Sequence, residues 1–230
     1  MPSQYAYHRI ITKPLRWSAV ANALRGDLSI GQAVGSIYGI WRSQIGRPRD
    51  ELSVITYWPD GASAQSAEAA LSDGMAGTGG VSSISTEIMS PTLRPIQPNR
   101  PIRQGNFAFR WMSTPAENWE ELLTLCADAW PGFEAAYDSQ VIGLWRMSEE
   151  RTGGLVEETT GAGITTGIRS LLFTRRPDLA MWERSKLPQG AAEAKVRETL
   201  SRRYDLCDWT VVYTSTLLTA QDDEDTARWT

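Results

Sequence analysis

The chain contains a near copy of part of itself. Gly35-Ser36-Ile37-Tyr38-Gly39-Ile40-Trp41-Arg42 returns as Ser139-Gln140-Val141-Ile142-Gly143-Leu144-Trp145-Arg146, and the residues ahead of it repeat in step. Tyr5-Ala6-Tyr7-His8-Arg9-Ile10 falls on Phe107-Ala108-Phe109-Arg110-Trp111-Met112 at a shift of 102 positions. Trp17, Val20, Ala21 and Leu24 fall on Trp119, Leu122, Leu123 and Cys126 at the same shift. Around Gly39 and Gly143 the shift becomes 104, as a small loop insertion would produce. Whatever the first half folds into, the second must be able to match.

Each half reads as the same run of elements. Tyr5 to Thr12 is aromatic and β-branched and stops at Lys13-Pro14, which predicts a strand. Trp17, Val20, Ala21 and Leu24 recur at helical spacing, with Gly26 beyond them as a C-terminal cap. In the second half Thr114, Pro115 and Glu117 predict a capping box ahead of the matching helix. The repeated stretch is the second strand. A third apolar run, Leu52 to Trp58 and Ser170 to Thr174, leads to Pro59-Asp60 and Pro177-Asp178. Asp is a good N-cap, so surface helices are expected over Ala62 to Met75 and Leu179 to Arg203, the latter broken at Pro188-Gln189-Gly190. Val81 to Met89 and Trp209 to Leu218 supply a fourth strand.

The order in each half is β-α-β-β-α-β, the ferredoxin-like arrangement. The expected layout is a first half over residues 1–90, a Pro-rich linker over 91–105, a second half over 106–219 and an acidic, disordered tail over 220–230. A four-stranded sheet with helices on one face leaves its other face uncovered, and here a second sheet is tethered to it. The economical α+β fold packs the two ferredoxin-like halves sheet to sheet as an intramolecular dimeric barrel. The space between the sheets is then the default ligand site.

Charge and residue inventory exclude several functions. A net charge of −4 argues against a phosphate-backbone partner, and the pairs Arg175-Arg176 and Arg202-Arg203 read as solvated surface. Two cysteines are too few for a disulfide framework, the N-terminus lacks a signal-peptide pattern, and no apolar run approaches the ~18 residues of a membrane span. A cytoplasmic protein with a small-molecule partner is expected, with no nucleic acid or membrane partner and with a homodimer as a further option. One histidine and two distant cysteines cannot build a familiar zinc site, so no metal and no cofactor are expected. His8, on a strand, is poorly placed as a haem ligand. The glycine-rich stretch at 161–167 departs from a dinucleotide loop in spacing and precedes a strand; it reads as an ordinary long loop, with a lid as the alternative.

The paired Gly39-x-Trp41 and Gly143-x-Trp145, the first strands carrying His8 and Arg110, and the Pro-Asp ends of the third strands together resemble NIPSNAP proteins of the dimeric α+β-barrel superfamily. The resemblance spans about Tyr5 to Leu218. It implies an α+β barrel holding a small molecule, and Arg175-Arg176 stands where that family tends to carry an aromatic pair.

Period-two alternation puts His8 with Ala6 and Ile10, and Arg110 with Ala108 and Met112. If Tyr7 and Phe109 face the helices, His8 and Arg110 point into the barrel. There they are either polar groups satisfied by hydrogen bonds or catalytic anchors, Arg110 holding a carboxylate or enolate and His8 moving a proton. Trp41 and Trp145, with Arg42 and Arg146 beside them, are either core packing or substrate-binding walls of an aromatic pocket. Two functions follow: a protein binding a small amphipathic or aromatic molecule, or a cofactor-independent monooxygenase or isomerase using the same cavity.

Overall fold

A computed structural model describes residues 2–30, 33–148 and 167–222. The first half contains β1 (Gln4–Thr12), α1 (Trp17–Ala23), β2 (Asp27–Ile30), β3 (Ala33–Ile45), β4 (Glu51–Trp58), α2 (Gly61–Ala64), α3 (Ala67–Met75) and β5 (Val81–Pro91). The second contains β6 (Asn106–Thr114), α4 (Trp119–Tyr137), β7 (Gln140–Met147), β8 (Ile168–Arg176), α5 (Leu179–Arg184), α6 (Ala191–Asp205) and β9 (Trp209–Leu217). The short β2 was not expected from the sequence, and the helix expected over Ala62 to Met75 is divided into α2 and α3.

Each half orders its strands alike, β3-β4-β1-β5 and β7-β8-β6-β9, all neighbours antiparallel. β5 pairs with β7 through Met89↔Met147, and β3 pairs with β9 through Trp41↔Leu217. The two sheets therefore close into one eight-stranded α+β barrel, with β2 added outside against β3. Closure leaves neither half with an open edge along these strands.

The recurring Gly-x-Trp motif is explained by packing. A bulge after Ile37 in β3 and after Val141 in β7 shifts the register at the same place in each copy. Tyr38 and Trp41, and likewise Ile142 and Trp145, then belong to the barrel interior. A Cβ on Gly39 would overlap the Trp41 ring, and one on Gly143 the Trp145 ring. Each glycine is the gap into which the tryptophan two residues later folds back.

The interior between the sheets is filled. Tyr5, Tyr7, Phe107, Phe109, Trp111 and Phe173 join the two tryptophans in one buried cluster. Trp41 stands edge-on to Phe173 at 5.0 Å, and Phe109 stacks on Tyr213 at 5.2 Å, geometries that favour aromatic pairs. Tyr7 and Tyr213 share a hydrogen bond, and Ser53 Oγ lies 3.0 Å from the Tyr7 hydroxyl.

Local signals held in part. Asp60 and Asp178 cap their helices, accepting from the backbone N–H of Ala62 and of Met181, and the segment after Asp178 does break between Arg184 and Ala191. The capping box at Thr114 does not form: Thr114 still pairs with Ile168 as the end of β6, and a 3-10 turn over Ala116–Asn118 precedes α4. Strand pairing wins over the local cap. Most of the glycine-rich segment and of the acidic tail lies outside the described residues.

Candidate functional site

The face assignment made from the sequence is reversed. Tyr5, Tyr7, Phe107, Phe109 and Trp111 point into the barrel, while Ala6, Ile10 and Met112 pack under the helices. His8 and Arg110 share the helix-facing side of strands in different halves, so they do not converge.

His8 is fully buried, with Nδ1 2.9 Å from Thr86 Oγ1 and Nε2 3.0 Å from Thr56 Oγ1. A neutral imidazole suits two hydroxyls, one nitrogen donating and the other accepting. Burial lowers its pKa to about 3, so it stays neutral at physiological pH. These contacts are those of a satisfied core group, and they leave no free nitrogen for proton transfer. Trp41 and Trp145 do face inward, but as fully buried packing. Arg42 and Arg146 alternate with them to the outside; Arg42 stacks over Trp17 at 4.2 Å.

Arg110 belongs to a different site. Between the outer face of the second sheet and α4, α5 and α6 lies a cavity of about 50 Å³, walled by Ala108, Trp130, Phe133, Leu172 and Leu200. It shares Arg110, Arg176, Trp182, Ser185, Arg197 and Tyr204 with an outer cleft of about 240 Å³, which adds Lys186 and Thr210. The inner end thus combines aromatic and aliphatic walls with the buried Arg203, and the mouth is cationic. Its length of roof comes from α4, a 19-residue helix standing where the first half has the 7-residue α1.

The cations are held mainly by aromatic faces. The Arg176 guanidinium lies 4.3 Å from the Trp182 ring centre and 5.0 Å from that of Phe133, and that of Arg110 lies 4.9 Å from Tyr204. Arg176 Nη1 donates to Thr174 Oγ1 at 3.3 Å, and Arg110 Nη1 to Thr210 Oγ1 at 3.2 Å. Arg203, only 3% exposed, donates to Tyr204 Oη at 3.2 Å and to Cys126 Sγ at 3.8 Å. Desolvation, with Arg110 and Arg203 close by, lowers the Arg176 pKa to about 10. Burial opposes ionisation of Tyr204, yet Arg203 and Arg110 hold its pKa below the ordinary phenol value.

The sequence reading missed Arg176, Arg197, Arg203 and Tyr204. It took Arg175-Arg176 and Arg202-Arg203 for solvated surface, but Arg175 and Arg203 are buried and Arg176 half-buried; only Arg202, paired with Glu121 at 3.1 Å, is exposed. The one available signal was the arginine pair standing where the resembled family carries aromatics.

The first half has a groove of about 310 Å³ between α3 and β5, lined by Lys13, Ser72, Met75, Val81 and Ile84 among others, without clustered charge. Among the described residues no helix is long and apolar enough to cross a membrane, and no three His, Cys, Asp or Glu side chains gather as a metal site.

No protein-family model matches the sequence, and no curated protein does. Solved structures do. An anthrone oxidase-like protein matches at a TM-score of 0.58 and 12% identity, over 94% of this chain and 92% of that one. A chlorite dismutase from Candidatus Nitrospira defluvii, in complex with imidazole, matches at 0.51 and 8%, over 94% and 90%. A heme-binding protein from Thermus thermophilus matches at 0.50 and 15%, over 99% and 94%. At such identities the likeness is one of fold, and it covers both halves: the chain has the dimeric α+β-barrel fold, with both ferredoxin-like units in a single polypeptide.

Proposed function

We propose that this protein binds a small amphipathic or aromatic molecule in the pocket between the second sheet and α4 to α6, as a NIPSNAP-like barrel protein. One observation carries the reading: a recess under Trp130 and Phe133, with aromatic and aliphatic walls, opens past Trp182 to a mouth of polar side chains. Ligand sites are typically concave spaces in which apolar walls meet convergent polar groups. The location differs from the one expected between the sheets, because rings already fill that space. Kinship with NIPSNAP rests on the paired Gly-x-Trp and Pro-Asp motifs, and a cytoplasmic setting without nucleic acid suits the net charge of −4.

One of the similar structures, the heme-binding protein from Thermus thermophilus, raises haem as a ligand. The residues here do not fit it. The chain's single histidine is His8, enclosed by two threonines under the first half's helices. Among the described residues the pocket walls offer no histidine, cysteine or methionine, Tyr204 is engaged by Arg203 at its hydroxyl and by Arg110 over its ring, and the enclosed recess of about 50 Å³ is far too small for a tetrapyrrole.

A second reading, a cofactor-independent enzyme in the same pocket, is favoured by Tyr204. Its hydroxyl accepts from Arg203 and its pKa is held down by two arginines, so Tyr204 is the residue we would assign to move a proton, in place of His8.

Fluorescence titration with the uncharged probe N-phenyl-1-naphthylamine tests the binding reading. Saturable binding that is lost on filling the recess by Leu200→Trp is expected. No saturable binding, or the same binding by a folded Leu200→Trp variant, would contradict it.

A further inference from the structure

Taking the pocket as a ligand site, we infer that its ligand is an aromatic acid, whose anionic group sits among Arg110, Arg176 and Arg197 while its ring enters the recess under Trp130 and Phe133. The inference rests on a charge imbalance. The chain carries 27 acidic against 23 basic residues, yet among the described residues four arginines line this pocket and no carboxylate does. Elsewhere Arg9 has Glu51 at 2.9 Å and Arg169 has Glu87 at 2.9 Å, while the buried Arg175 donates to the Gln104 carbonyl at 2.6 Å. Here Arg176 and Arg203 each keep a buried Nε with no hydrogen-bond partner among the described residues. Aromatic faces and single hydroxyls offset part of the desolvation of a guanidinium, but a buried charge normally requires an opposite one.

Geometry favours an anion held by more than one guanidinium. Arg176 comes from the end of β8, Arg110 from the middle of β6 and Arg197 from α6, so they approach the cleft from the floor and the roof. Planar guanidinium forks match carboxylate, sulfonate or phosphate oxygens. The acid source, whether a carboxylic acid or a phosphate ester, shares this chemistry. The low Arg176 pKa, about 10, has the same origin, since desolvation and neighbouring cations are not answered by a protein carboxylate.

The inference is tested apart from the pocket reading with two probes of one skeleton, 1-anilinonaphthalene-8-sulfonate and uncharged N-phenyl-1-naphthylamine. Wild-type protein should bind the sulfonate about ten- to hundredfold more tightly, the range of one or two charge-assisted hydrogen bonds. Arg110→Met with Arg176→Met should abolish that preference, while Arg202→Met, outside the pocket, leaves it intact. Inorganic phosphate should compete with the sulfonate and not with the uncharged probe. Equal affinity of wild-type protein for both probes would overturn the inference and leave the pocket reading standing; so would a preference that survives the double variant. Binding of neither probe would overturn the pocket reading itself. Because the wild-type ratio is decisive alone, a variant that fails to fold does not shield the inference.

Discussion

The two halves place equivalent strand positions under their helices and fill them in opposite ways. Strand register pairs Ala6 with Thr56 and Gln4 with Trp58 in the first half, and Ala108 with Thr174 and Asn106 with Arg176 in the second. His8, Thr56 and Trp58 therefore correspond to Arg110, Thr174 and Arg176. In the first half Thr56 Oγ1 accepts from Trp58 Nε1 at 2.9 Å and bonds His8 Nε2, and all three side chains are fully buried. Trp58 also lies across the space above Gly35, whose Cβ would sit 2.6 Å from the ring. In the second half two arginines occupy the corresponding positions and a longer helix lies over them, so the same layer stays open. Barrel closure needs the repeated interior residues, whereas the outer layer is free to be core in one copy and pocket in the other.

Substitution at equivalent positions gives the largest contrast. Trp58→Ala should cost about 3–5 kcal/mol, the range for emptying a large buried aromatic site, as read by urea unfolding. Arg176→Ala should change stability by under about 1 kcal/mol, because an uncompensated charge leaves with the side chain. Equal losses would break the comparison. The interior, by contrast, should respond alike in both halves: Gly39→Ala and Gly143→Ala should each cost about 1–3 kcal/mol by overpacking against a trapped tryptophan, and a neutral result in either copy would remove the account of the Gly-x-Trp motif.

The pH dependence of stability isolates His8, since it is the only histidine. Its folded pKa of about 3 lies below the unfolded value of 6.5, so the unfolded chain binds the proton first as pH falls. The penalty is absent above pH 7 and grows down to about pH 3. Between pH 7 and pH 5 wild-type protein should lose about 2 kcal/mol of stability that a His8→Asn variant does not lose. Parallel curves would show that His8 is not buried neutral. The smallest effect concerns Tyr204: with Arg110→Met its pKa should rise toward the ordinary phenol value, followed as tyrosinate absorbance against a Tyr204→Phe control, and no shift would place Arg110 outside the Tyr204 environment.

The fold was legible in the sequence because the repeat fixed corresponding strands, and the Pro-Asp ends marked where the second helical segments begin. Which strand face turns inward was not. In a closed barrel covered by helices both faces of β1 and β6 are buried, so alternation of Tyr7 with His8, or of Phe109 with Arg110, separates two faces without naming the interior. The size of the rings settles it only once the span between two sheets is known to be wide enough for them. Gly39 and Gly143 carried the missing information, since a glycine two residues before a tryptophan on a strand leaves room for that ring. The pocket was less legible still. Arg110, Arg176, Arg197 and Tyr204 come from two strands and one helix far apart in sequence, and composition alone makes paired arginines look like surface.

The proposed ligand site lies under the helices of the second half and not between the sheets. The direct measurement is a crystal structure of the protein grown with 1-anilinonaphthalene-8-sulfonate. Density for the rings against Trp130 and Phe133, with the sulfonate at Arg110 and Arg176, is the predicted result; the probe lodged between the sheets beside Trp41 and Trp145, or beneath α1 and α3, would contradict it.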